Sequence, residues 1–185
     1  MKRLVAGVVS LLCAAAALLA APGVSAGFAS SVPVSAELAT NMARSMFPQA
    51  LAFGQVNLFL SEPTVLYPDA RRVAVRMRVQ AYDHRPEQGI ALSEEGVAVL
   101  SGGLGYDPAT RQVLLFDPKL DELRFANDNA FTRKVLQGVN SEWQARVSNP
   151  VRTDVPPHPY IQPFRNGIKD ISYGREGIVI LVAYE

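Results

Sequence analysis

Between Arg71 and Tyr82, the side chains Val73, Val75, Met77, Val79 and Ala81 alternate with Arg72, Ala74, Arg76, Arg78 and Gln80. Successive side chains of a strand point to opposite faces, so this period of two predicts a strand with one dry face and one wet face. A parallel strand covered on both sides reads as a continuous apolar run, so the sheet is expected to be antiparallel. Gln55 to Leu60 predicts another strand, interrupted at Ser61-Glu62-Pro63, resumed over Thr64 to Tyr67 and ended by the turn signal Pro68-Asp69. Ile90 to Tyr106 reads as extended, with Gly96, Gly102, Gly103 and Gly105 marking a bend or a close backbone approach. Asp107-Pro108-Ala109-Thr110 turns the chain into a return strand over Gln112 to Phe116, whereas Pro118 to Phe125 is ambiguous. Ile168 to Tyr173 and Ile178 to Tyr184, joined by Gly174-Arg175-Glu176-Gly177, predict a closing hairpin.

Two segments follow the helical period instead. Leu38, Met42 and Met46 recur every fourth residue, with Ala39, Ala43 and Phe47 beside them. Ser35 is placed to cap this helix and Glu37 to favour its positive end, which predicts a helix over 35–47 before Pro48 interrupts it. Phe131, Val135, Val139, Trp143 and Val147 form a second amphipathic stripe, capped by Asp128 and ended by Asn149-Pro150. The prolines between Val151 and Pro163 predict an extended, irregular stretch. A helix, then antiparallel strands, a second helix and a hairpin is the order of an α+β domain, not of alternating βαβ units.

The N-terminal segment has a different pattern. Lys2 and Arg3 precede an apolar run from Leu4 to Ala21, Pro22-Gly23 breaks it, and Val24-Ser25-Ala26 follows with small residues at the cleavage positions. This predicts a secretory signal peptide over 1–26 cleaved after Ala26, a flexible lead-in over 27–34 and a single domain over 35–185. Cleavage removes Lys2, Arg3 and Cys13 together. The mature chain then carries one more acidic than basic residue and no cysteine, and its core alone must hold it. Leu12 before Cys13 argues against lipid anchoring there.

Composition narrows the chemistry. At 49% hydrophobic and 19% charged, with a formal charge of +1, the chain is too apolar for a disordered tail and too balanced for a nucleic-acid binder. Two histidines, His84 and His158, and a single cysteine exclude the usual zinc patterns and a disulfide framework. No nucleophile elbow is present, and Ser101-Gly102-Gly103-Leu104-Gly105 lacks the Lys-Ser/Thr of a phosphate loop. The pairs Glu94-Glu95 and Asp121-Glu122 fall on opposite faces of any strand that carries them, so neither pair converges on one substrate. No catalytic residue, metal ligand or cofactor is expected. Arg72, Arg76 and Arg78 share the wet face of the alternating strand, where they are ordinary surface or a contact for anionic head groups. Met42, Met46 and Met77 suit either core packing or an adaptable apolar cavity.

An ordered set of short pieces adds a resemblance. Ser35-Ala36-Glu37-Leu38, Met46-Phe47-Pro48, Leu60-Ser61-Glu62-Pro63, Leu104-Gly105-Tyr106-Asp107, Leu115-Phe116-Asp117-Pro118-Lys119-Leu120 and Pro159-Tyr160 stand in the order and spacing of the DUF1439 family. The mature chain therefore resembles that family, which includes the YceB-like lipoproteins of Gram-negative bacteria. The resemblance implies a fold related to the tubular lipid-binding proteins: a highly curved antiparallel sheet wrapped around a long N-terminal helix, with a second amphipathic helix. It implies no catalytic residues. The expected protein is a periplasmic, non-enzymatic binder of a lipid or another long apolar ligand. The ligand would lie between sheet and first helix, lined by Leu38, Met42, Met46, Val73, Val75, Met77 and Val79. The alternative is a structural or interaction protein of the cell envelope with a fully packed core. Partners are then a lipid or apolar small molecule, or a peripheral membrane or envelope-protein contact, and not nucleic acid; the oligomeric state stays open.

Overall fold

A computed structural model of the protein describes residues 29–53, 56–85, 89–155, 162–174 and 177–183. The signal segment, Cys13 and the cleavage site lie outside them. The fold is mostly β. A six-stranded antiparallel sheet runs in simple chain order through β2 (Gln49–Phe53), β3 (Val56–Asp69), β4 (Arg72–Arg85), β5 (Gly89–Asp107), β6 (Gln112–Phe125) and β7 (Val151–Asp154). A second sheet places β9 (Gly177–Ala183) between β1 (Ala29–Ser35) and β8 (Ile168–Gly174). Two helices complete it, α1 (Ala36–Arg44) and α2 (Ala130–Arg146).

This corrects the α+β expectation. The first helix has nine residues and is about 13 Å long, and among the described residues no long N-terminal helix is wrapped by the curled sheet. Its stop is local: the backbone and hydroxyl of Ser45 both bond the Met42 carbonyl, and Pro48 follows. From Ala29 the segment before the first helix is strand β1, paired with β9 along its whole length. Ser35 ends that strand and caps α1, accepting a hydrogen bond from the Leu38 N–H at 3.2 Å.

The dry face of β4 forms the middle of the core: Val73, Val75, Val79 and Ala81 are fully buried and Met77 nearly so. Each large side chain of this row is worth about 1.5–3 kcal/mol. An exposed ion pair on the wet face contributes about 0–1 kcal/mol, so burial decides which way the strand faces. The same core takes Val32 and Val34 from β1 and Ile178, Ile180 and Val182 from β9, so both sheets close on one interior.

β3 is one strand where the sequence suggested two. Ser61 opposes Arg78 and Thr64 opposes Arg76, so β3 carries one extra residue between them, with Glu62 at φ 51°. The bulge changes parity: Leu58 and Leu60 face inward before it, and Val65 faces inward after it. β2 accompanies β3 only as far as Leu60. Beyond that point α1 takes over, and its buried Thr40 hydroxyl accepts the Val65 N–H at 2.8 Å. β6 absorbs two extra residues in the same way, and at the first of these points Asp117 adopts φ 46°.

Candidate functional site

Most of the seven residues expected to line a ligand groove are buried. Val73, Val75, Met77 and Val79 are packed within the core, and Met42 joins them from α1. Leu38 packs against that core half-buried, and Met46 lies half-buried beyond the end of α1. Ala39 and Ala43 of α1 are fully buried, so the first helix sits directly on the sheet.

Space opens at the second helix. Asn129, and not the expected Asp128, caps α2, its side chain accepting the Thr132 N–H while the Thr132 hydroxyl accepts the Asn129 N–H. The Asn129 amide also donates to Glu94 at 2.7 Å and the Asn127 amide donates to the same carboxylate at 2.8 Å, which ties the start of α2 to β5. Glu94 is thereby spent on structure, and its neighbour Glu95 pairs with Arg78 at 2.7 Å.

Along α2 the burial is graded. Phe131 and Val135 of the first turns are buried in the core, whereas Leu136, Val139, Trp143 and Val147 are only half-covered. A cavity of about 340 Å³ lies beside that looser half, lined by Val56, Val135, Gly138 and Val139 together with the polar Lys134, Gln137 and Ser141. A methyl group built on Gly138 would meet nothing within 4 Å. Glycine in a helix interior costs about 1 kcal/mol relative to alanine, and here no close packing requires it. The volume falls at the lower end of small-molecule sites, which run about 300–1,000 Å³. Sequence reasoning placed Val135 and Val139 on an apolar helical face but passed over Gly138, whose isolated position inside that stripe was the available signal.

The three arginines on the wet face of β4 are put to different uses. Arg72 donates to the Ser101 hydroxyl and to the Asp117 carbonyl oxygen. Arg78 bridges Glu95 and Glu62, and its guanidinium is held above its ordinary pKa first by the hydrogen bond to Glu95 and then by that to Glu62. Arg76 makes no ion pair among the described residues. They do not act as one anion-binding group. Among the described residues no cluster of three or more histidine, cysteine, aspartate or glutamate side chains could hold a metal ion, and no helix is long and apolar enough to cross a membrane. The chain matches no family model and no curated protein, so no relative assigns a role to any of these residues.

Proposed function

We propose that the protein is a periplasmic, non-enzymatic carrier of an apolar ligand, an acyl chain or a molecule like it, held against the loosely covered half of α2. The observation that carries this reading is the 340 Å³ mostly apolar cavity between Val56 and the Val135–Val139 turn, where a helical glycine leaves space unfilled. The resemblance to the DUF1439 family and the signal-like N-terminus point the same way. Micromolar affinity corresponds to about 8 kcal/mol. About 14 buried methylenes at about 0.8 kcal/mol each supply on the order of 11 kcal/mol, which covers that after ordering costs of a few kcal/mol, so no strong polar contact is needed.

The test is a titration of delipidated protein with a fluorescent fatty acid, alongside mass spectrometry of protein purified natively. Saturable binding in the micromolar range is expected, and Gly138→Leu, whose Cβ enters open space beside the cavity, should weaken it about tenfold or more while the protein stays folded. No saturable binding together with no co-purified lipid would sink the proposal. One observation favours a second reading: the sheet interior around Val73 to Val79 is packed, as in an envelope interaction protein that holds no ligand.

A further inference from the structure

A second concavity, of about 630 Å³, lies where β8 meets the large sheet, lined from the β3–β4 turn, β5, β6 and β8 and by no residue of α2. Its most prominent feature is Phe116, a large apolar side chain left 42% exposed. Phe116 opposes Gly103 across the β5–β6 ladder. Its ring covers the space above Gly105, where an added methyl group would lie 2.8 Å from the ring edge. The glycines let the ring lie down on β5, and the rest of it is left to solvent.

The backbone that presents this ring is held deliberately. Asp117, next in sequence, has the left-handed φ of 46° that costs a residue with a side chain about 1 kcal/mol or more. Three hydrogen bonds fix it there: its N–H donates to the Asn149 side-chain oxygen at 2.9 Å, its carboxylate accepts the Asn149 amide at 2.6 Å, and its carbonyl accepts Arg72 at 3.0 Å. Polar groups with capacity to spare surround the ring. Asp69 and Asp117 each have one carboxylate oxygen engaged and the other without a partner among the described residues. The Arg71 guanidinium has no partner among them either. Tyr173 accepts the Leu104 N–H at 2.6 Å and keeps its own proton to donate; burial raises its pKa, so the hydroxyl stays protonated.

The formal charges of Asp69 and Asp117 cancel those of Arg71 and Arg72. An anionic ligand would face two carboxylates and a cationic one two guanidiniums. A neutral ring with one apolar face and a rim of hydroxyls meets neither penalty, because each hydroxyl both donates and accepts. We propose that this pocket binds a neutral saccharide, with one pyranose ring lying on Phe116 and its hydroxyls shared among Asp69, Asp117, Arg71 and Tyr173. The site is independent of the α2 cavity, and either can fail without the other.

The experiment titrates isotopically labelled full-length protein with cellobiose, maltotriose and N,N′-diacetylchitobiose at millimolar concentration, with trigalacturonate as an acidic control. The expected result is saturable shifts of the Gly103, Gly105 and Asp117 amides with at least one neutral sugar. Phe116→Ala should weaken that binding about tenfold or more. Arg71→Ala, an exposed turn position, should weaken it about threefold to tenfold with an unchanged melting temperature. The Arg71 variant keeps the test meaningful if removing the ring unsettles the β5 glycines. Absence of saturable shifts with all three neutral sugars, tighter binding of trigalacturonate, or undiminished affinity in both variants would overturn the proposal.

Discussion

Thr40 is a hydroxyl in a nearly closed interior, where it accepts the N–H of Val65, 25 positions further along the chain. A buried amide left without an acceptor costs about 1–3 kcal/mol. Thr40→Val, which keeps the shape and removes the oxygen, should lower stability by that amount in urea denaturation, whereas Thr40→Ser should cost less than about 1 kcal/mol. Equal losses in the two variants would show that the hydroxyl is not what matters. Ser35 was legible as a cap because its partner lies three residues away and the pattern is local. Thr40 was not, because no local pattern announces an acceptor for an amide on another element. The same limit hid Arg72, whose sequence position on a wet face says nothing of Ser101 or Asp117.

Among elements, the strands were read by alternation and their irregularities by its failure. Leu58 and Leu60 are in phase with each other, and Val65 is out of phase with both; the Ser61-Glu62-Pro63 interruption is the extra residue that reconciles them within one strand. The glycines divide by what surrounds them. A side chain at Gly96 would run into the Arg124 carbonyl on the neighbouring strand, whereas one at Gly138 enters open space. Gly96→Ala should therefore cost about 1–3 kcal/mol through forced backbone shifts. Gly138→Ala should raise stability by about 0.5–1 kcal/mol, read as an upward shift in melting temperature. A destabilised Gly138→Ala would mean that the cavity beside α2 is not open. The apolar face of β4 was legible, but not its neighbours: period two says that Val73 to Val79 are dry, and cannot say whether ligand or protein dries them.

Over the whole molecule, the sequence overstated helix and understated sheet. β1 went unread because Val32 and Val34 alternate with serine and proline in a short segment that resembles a linker until its partner is known. Both sheets contribute to one core cluster, with α2 packed on it, and this makes cooperative unfolding the expectation. Trp143 is the sole tryptophan and sits on α2, so its fluorescence follows the helix while far-ultraviolet circular dichroism follows mainly the sheets. The two denaturation curves should superimpose. A fluorescence transition at lower urea would instead identify α2 as a unit that opens alone, which would change how a ligand gains entry.

The pairing of β1 with β9 joins Ala29 to Ala183 and Ser35 to Gly177, so the first strand of the described chain is completed by the last. Strand order therefore sets a clock on assembly. A ribosome has made β2 through β8 before the partner of β1 exists, and throughout that interval Val32 and Val34 have no ladder to join. Closure across so long a stretch of chain is entropically expensive and slow. The small sheet is accordingly the latch of the fold. Its amides should gain protection together and last in pulse-labelled refolding, and a chain stopped short of β9 is left with its opening strand exposed as bait for aggregation.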